Sequence, residues 1–230
     1  MIDALNAWLD ALAVAAEADL EARNQVRDEA LHKSRDLIRL CSSAIRSGHR
    51  EAWDEANAQL TEAEAVGREM QAALAPYPDL FYAGYTQDAL KELVEARITL
   101  ALISDGDLPA LDRLSIPYNT YLNGVCEAAS ELRRRCLDVM RQGSMAEAER
   151  LLAAMDAVYE VLMSFSYPDA ITGGLRRRVD QLRGVLERTR GDLTNSAQMQ
   201  RLLQALEQAE ARYGGVVERG SGDQEPSSRG

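Results

Sequence analysis

Four glutamates at helical spacing are the residues of this sequence best suited to chemistry. Glu92 and Glu95 stand in the segment DALKELVEA, and Glu127 and Glu131 stand in GVCEAASEL. Residues three or four positions apart lie on the same face of an α-helix, so each pair presents two carboxylates within reach of one ion. If the two helices are neighbours, the spacing predicts a metal site.

The helix expected over residues 79–103 gives the first pair a buried setting. It is apolar around most of its circumference, and Asp88, Glu92 and Glu95 form one narrow polar strip along it. A buried carboxylate is costly unless it is paired, hydrogen-bonded or bound to a cation. The strip therefore needs a cationic partner, and Lys91 at its edge is positioned to supply part of one.

The helix expected over residues 117–142 gives the second pair a different setting. Its core stripe runs from Tyr118 to Met140, and Glu127 and Glu131 point away from that stripe. Taken alone, the pair is typical of a solvated helix face. A facing wall of protein would make it part of an enclosed site, and the residues by themselves leave both interpretations open.

Composition and turn signals favour an all-α protein of one domain. The 230 residues are 46% hydrophobic, 27% charged and only 5% aromatic, with six prolines. Short connections between the expected helices indicate one bundle-like domain over residues 1–213, followed by a disordered tail over 214–230. The seven expected helices cover residues 2–47 (one long helix or a broken pair), 50–75, 79–103, 117–142, 145–165, 168–190 and 195–213.

Charge is distributed unevenly along the chain. The net charge of −11 argues against indiscriminate nucleic-acid binding, because phosphate contact needs positive potential at the contact surface. Arginines are nevertheless clustered at 133–135, at 176–178 and along the first helical region. They either form a nucleic-acid surface or pair with the many acids on helix surfaces, and the sequence leaves both open.

The positions of the histidines and cysteines indicate which class of metal and which cellular compartment to expect. None of the four acids is followed by a histidine at the Glu-x-x-His spacing of di-iron bundles, so an all-oxygen site suits Mg²⁺ or Mn²⁺ better. The three cysteines lack metal or redox spacing and are expected to be buried thiols. Without an apolar run of 18 residues or a basic leader, the sequence predicts a cytoplasmic protein with no membrane span.

Several segments resemble the translin and translin-associated factor X proteins, and the sequence is identified as a member of that family. The resemblance implies a seven-helix bundle that assembles into a closed shell of several copies, usually octameric. It also implies binding of single-stranded RNA, or single-stranded DNA, on the inner surface. The matching segments are RDEALHKSRDLIR at 27–39, AIRSGHRE at 44–51, DALKELVEA at 88–96, YLNGVCEAASELRR at 121–134, and YPDAITGGLRRRVD with ERTRGDLT at 167–194.

The factor X branch of the family is a metal-dependent endoribonuclease. Its catalytic acids fall here on Glu92 and Glu95 in one helix and on Glu127 and Glu131 in another. The resemblance implies that all four are catalytic, and that Glu92, Glu95 and Glu127 hold Mg²⁺ or Mn²⁺. It is consistent with a backbone-positioning role for the arginines Arg133, Arg134, Arg177 and Arg35.

Two positions depart from the family pattern and leave the function open. Glu127 stands where the catalytic branch has the shorter Asp, and Lys91 stands where Gln is usual, which places an ammonium beside the site. Retention of four acids favours an endoribonuclease acting on single-stranded RNA. The alternatives are a nucleic-acid-binding shell without catalysis, whose acids pair with Arg97 and Arg134, and a purely structural helical oligomer.

Overall fold

A computed structural model describes residues 1–110 and 115–220, with side chains described as far as residue 212. The described residues contain no strand, so the predicted all-α fold class is confirmed. Within them the chain forms eight helices, of which two are single turns. These are α1 (Ile2–His49), α2 (Trp53–Leu74), α3 (Pro78–Phe81), α4 (Gly84–Ile103), α5 (Tyr118–Arg141), α6 (Met145–Met163), α7 (Asp169–Thr172) and α8 (Leu175–Gly220).

Two of the predicted helices are each interrupted near their start. The helix expected over 79–103 is divided into α3 and α4, because Ala83 adopts an extended backbone with ψ of 147°. The helix expected from residue 168 is divided into α7 and α8 by Gly173 and Gly174, whose φ angles of 62° and 82° are left-handed. Glycine adopts that conformation without the steric cost of a Cβ atom.

The helix α8 is longer than predicted. It joins residues 175–190 of the predicted segment 168–190 to the segment 195–213, which was predicted as a separate helix, and it continues to Gly220. Residues 214–220 are therefore helical, although they were predicted to belong to the tail. The rest of that tail, 221–230, lies outside the described residues.

Two hydrophobic clusters meet along the central pair of helices, α4 and α5. The first includes Leu37 and Leu90 and joins α1, α2 and α4. The second includes Leu132, Leu151 and Leu182 and joins α5, α6 and α8. The site described below lies between α4 and α5, so side chains packed on both sides hold it.

The helices α4 and α5 run parallel and approach closely. Thr120 near the start of α5 donates a hydrogen bond to Gln87 near the start of α4, and Lys91 one turn later pairs with Glu127. A Cβ atom at Gly124 would lie only 2.7 Å from the Lys91 carbonyl oxygen, so the close approach depends on glycine. This parallel packing turns the acidic strip of α4 toward α5.

Both ends of the described chain carry exposed apolar residues. The first turns of α1 expose Ile2, Leu5 and Trp8, and the later part of α8 exposes Met199 and Leu206. No helix in the described ranges has both the length and the apolar character needed to cross a bilayer. The exposed residues thus leave apolar surface on the single chain.

Candidate metal centre and nucleic-acid interface

Three carboxylates from two helices converge on one point. Glu92 and Glu95 of α4 and Glu127 of α5 each offer an oxygen, and these oxygens all lie within 4.8 Å of one another. The two α4 residues share a face because they are three positions apart, and the parallel α5 brings Glu127 opposite them. A cluster of oxygen ligands at this spacing is the donor set that hard divalent cations such as Mg²⁺ and Mn²⁺ prefer.

Glu95 is the electrostatic centre of the cluster. Burial, followed by the negative charges of Glu92, Glu127 and Glu131, raises its pKa from 4.5 to about 8. Burial also raises the pKa of Glu92, and Lys91 opposes that shift. Raised carboxyl pKa values mean that the protein only partly compensates the negative charge of the cluster. A bound cation would compensate the remaining charge.

Two basic side chains hold Glu127, one at each of its carboxylate oxygens. The Lys91 ammonium lies 2.6 Å from Oε2 of Glu127 and 3.4 Å from Oε1 of Glu92. The guanidinium Nε of Arg178 lies 2.9 Å from Oε1 of Glu127. Among the described residues, neither cation pairs with Glu95, so the compensation is concentrated at one edge of the cluster.

Arg178 is anchored by more than its ion pair. Its NH1 group donates to Oδ1 of Asn123 at 3.0 Å and to the Gly173 carbonyl at 3.1 Å. Asn123 in turn donates to the Thr172 carbonyl at 2.7 Å. The guanidinium is therefore fixed between α5 and the turn that joins α7 to α8.

Glu131 lies one turn beyond Glu127 but is engaged by a different partner. Its Oε1 is 2.8 Å from Nε2 of His49, at the end of α1. The negative charge of Glu131 contributes to the raised pKa of Glu95, so the fourth predicted acid lies near the other three. Reasoning from sequence missed His49, because it tested histidines only for Glu-x-x-His spacing; the histidine does stand in the family-like segment 44–51.

The four predicted nucleic-acid-binding arginines fall into two groups. Arg133 is tied to α8, because it donates to Asp192 at 2.8 Å and to Thr189 at 3.1 Å. Arg35, Arg134 and Arg177 are exposed, and none of them forms an ion pair with a described residue. Of the four, only this second group has guanidinium groups that no described residue holds, and these can be offered to a phosphate backbone.

The ion pairs expected of a nucleic-acid-binding shell without catalysis, in which the acids pair with Arg97 and Arg134, are wrong. Arg97 pairs with Glu64 at 3.2 Å and not with the four acids. Arg134 is exposed and has no ion pair within the described ranges. Glu92, Glu127 and Glu131 are instead partnered by Lys91, Arg178 and His49, which come from three different helices.

Comparison with solved structures finds chains of the same fold. The chain is 33% identical to AfC3PO in a complex with duplex RNA, with a TM-score of 0.75, and the match covers 80% of this chain and 96% of that chain. The crystal structure of AfC3PO gives 31% identity and a TM-score of 0.76 at the same coverage. Apo-NeC3PO, at 20% identity and a TM-score of 0.71, shares the fold.

Sequence comparison gives a relative of similar likeness. An uncharacterized protein of Methanocaldococcus jannaschii is 32% identical over 193 residues, which cover 83% of this chain and 85% of that protein. No protein-family model matches the chain.

The fold and the site define an all-helical bundle with an acid cluster between two parallel helices. The chain belongs to the translin and translin-associated factor X family, of which the C3PO structures are members.

Proposed function

We propose that this protein binds single-stranded nucleic acid and is a Mg²⁺- or Mn²⁺-dependent endoribonuclease acting on single-stranded RNA. The observation that carries the proposal is the convergence of Glu92, Glu95 and Glu127 within 4.8 Å, with the pKa of Glu95 raised to about 8. The duplex RNA bound to the similar AfC3PO supports RNA as the class of ligand.

Each acidic residue has a distinct part in this proposal. Glu92, Glu95 and Glu127 hold the divalent cation, which when bound neutralises charge on the scissile phosphate and makes a water molecule more acidic. Glu131, held by His49, completes the ligand shell or holds a water at its edge. The exposed arginines Arg35, Arg134 and Arg177 position the sugar–phosphate backbone, which gives affinity without reading sequence.

Cleavage of single-stranded RNA by purified protein tests the proposal. Wild type is expected to cleave with Mn²⁺ and to stop when a chelator is added. Glu95→Gln should lose more activity than the roughly 10- to 100-fold cost of losing an outer-shell partner, since it removes a ligand itself. Glu69→Gln is the matched control, because Glu69 pairs with Lys33 on the surface. Intact RNA after incubation of wild type with Mn²⁺ would contradict the nuclease proposal.

A second candidate function is nucleic-acid binding without catalysis. It is favoured by the two basic groups on Glu127, because Lys91 and Arg178 already neutralise one of the three carboxylates. In that case the protein would bind RNA in a salt-dependent way. It would show no turnover that responds to a chelator, and Glu95→Gln would bind RNA as tightly as wild type.

The proposal includes assembly of several copies into a shell, with eight as the number usual in the family. It is supported by the exposed apolar turns at the start of α1 and by an apolar groove of about 710 Å³ that includes Tyr118, Tyr167 and Ile171. Apolar surface of this extent on a single chain is typical of an interaction site. Light scattering after size exclusion measures the copy number, and a monomer at micromolar concentration would contradict the assembly.

A further inference from the structure

Lys91 has no described partner apart from the carboxylates of the proposed metal site. Its ammonium contacts Glu127 at 2.6 Å and Glu92 at 3.4 Å, and its side chain is 13% exposed. Arg178, the other basic group at the site, has Asn123 and the Gly173 carbonyl as additional acceptors. If a cation takes the carboxylate of Glu127, Arg178 keeps two of its acceptors and Lys91 keeps none outside the cluster.

The residue type at position 91 also matters. Lysine occupies only two of the 26 basic positions in the sequence, 33 and 91, and all the others are arginine. An arginine forms a planar fork that holds a carboxylate through two bonds, whereas a lysine is a compact charge on a flexible four-carbon stem. Lysine is therefore the basic residue better able to leave one anionic partner for another.

We propose that Lys91 binds a phosphate of the RNA backbone when a cation occupies the acid cluster. In the metal-free protein the Glu127 carboxylate holds the Lys91 ammonium, and cation binding releases it toward the RNA. The inference rests on the proposed function, because it assumes that Glu92, Glu95 and Glu127 bind a divalent cation. The release follows from electrostatics: the ammonium and a divalent cation on the same carboxylates would repel each other at a separation of a few ångströms. Arg178 stays in place, because Asn123 and Gly173 hold it.

Release of Lys91 links metal binding to nucleic-acid binding. Metal would strengthen RNA binding by adding one phosphate contact, and RNA would strengthen metal binding by the same factor, since such coupling is reciprocal. In the metal-free protein the ammonium competes for the carboxylates. Removing it should therefore tighten metal binding and abolish the coupling.

The first measurement is chemical labelling of the two lysines, with Mn²⁺ as the probe. Acylation by an amine-reactive ester, read by mass spectrometry, is expected to be slow at Lys91 without metal and clearly faster at saturating Mn²⁺. Lys33 is the internal control, because its pair with Glu69 lies on the surface and should not respond. Equal acylation of Lys91 with and without Mn²⁺, at concentrations where calorimetry shows the site filled, overturns the inference.

The second measurement compares Lys91→Gln with Lys33→Gln. Gln is the residue usual in the family at position 91, and Lys91→Met is a second variant should the first fold poorly. We expect Lys91→Gln to bind Mn²⁺ at least about fivefold more tightly than wild type. It should also lose the gain in affinity for an uncleavable 2′-O-methyl oligoribonucleotide that Mn²⁺ gives wild type. Lys33→Gln should match wild type in both, and an unchanged gain in Lys91→Gln overturns the inference.

The outcomes separate this inference from the proposed nuclease. If wild type cleaves RNA but Mn²⁺ does not change the acylation rate of Lys91, the inference is wrong and the proposed nuclease activity is supported. If labelling responds to Mn²⁺ and no RNA is cleaved, the nuclease fails and the inference stands. If neither wild type nor Lys91→Gln binds Mn²⁺, both are overturned.

Discussion

Nε2 of His49 lies 2.8 Å from Oε1 of Glu131, which joins the end of α1 to the middle of α5 across 82 positions of sequence. The His49 side chain is only 1% exposed, and its Nδ1 atom has no hydrogen-bond partner among the described residues. Among the described residues, the only polar contact of the imidazole ring is therefore the one that fixes Glu131. A buried histidine held in this way restricts the positions that the carboxylate can adopt.

Replacing His49 with Ala is expected to slow RNA cleavage by roughly 10- to 100-fold, the range seen when an outer-shell partner of a metal site is lost. Glu131 would no longer be fixed, while the arginines that bind RNA would be unaffected. Single-turnover cleavage should therefore fall without a change in RNA affinity. His32→Ala is the control, because His32 is exposed. Wild-type cleavage by a folded His49→Ala protein would show that Glu131 needs no positioning.

Glu95 should make the metal-free protein less stable as the pH rises. Its pKa is about 8 in the folded state against an ordinary 4.5, so between these values the folded protein holds a proton that the unfolded chain has lost. The free energy of unfolding is thus highest below about pH 4.5 as far as this group is concerned, and it falls until about pH 8. The fall is on the order of a few kcal/mol. Denaturant titrations in a chelator at several pH values measure it.

Two variants test whether Glu95 is the source of that fall. Glu95→Gln cannot ionise, so its stability should change less over the same pH window and exceed that of wild type at the upper end. Glu69→Gln should keep the wild-type fall, because Glu69 is a surface carboxyl whose pKa is lowered by Lys33. Identical pH profiles for wild type and Glu95→Gln would assign the fall to other groups.

The helical spacing of the sequence predicted which acids share a face, because that relation is local. Three positions separate Glu92 from Glu95, and any α-helix places them together. A metal site shared by two helices also requires that the helices approach closely. The segment GVCEAASEL contains the residue that permits this, since Gly124 allows the approach that brings Glu127 opposite α4. The pattern did not reveal this role of Gly124, because a glycine within a helix permits close packing only against a particular neighbouring helix, and local spacing does not identify that neighbour.

The contacts that partner the acids were not predictable in the same way. Arg178 and His49 reach Glu127 and Glu131 from segments 51 and 82 residues away, so their roles depend on how whole helices pack. The break between α3 and α4 was missed because the apolar pattern continues through Ala83, where the backbone becomes extended. Local periodicity contains no signal for either feature.

The adjacent arginines Arg133 and Arg134 should affect different properties. Arg134→Ala is expected to weaken RNA binding and to reduce the slope of log affinity against log salt by about one, since one phosphate contact is lost. Arg133→Ala should instead lower the free energy of unfolding by about 1 kcal/mol, because it removes hydrogen bonds to Asp192 and Thr189. Salt titrations and denaturant unfolding of both variants separate the two effects. If only Arg133→Ala reduced the slope of log affinity against log salt, Arg133 and not Arg134 would be the residue that contacts phosphate.

Gly124→Ala should separate the helices that form the acid cluster. The added Cβ would lie 2.7 Å from both the Lys91 carbonyl oxygen and the Val94 Cβ, so α4 and α5 must move apart. Overpacking of this kind costs about 1–3 kcal/mol, and Mn²⁺ affinity should fall with it because Glu127 moves away from α4. In contrast, Gly191→Ala meets nothing within 4 Å in α8, and it should stabilise the helix by up to about 1 kcal/mol without changing Mn²⁺ binding. Calorimetric titration with Mn²⁺ and thermal unfolding of both variants test the pair. Wild-type Mn²⁺ affinity in Gly124→Ala would show that the cluster does not depend on this close approach.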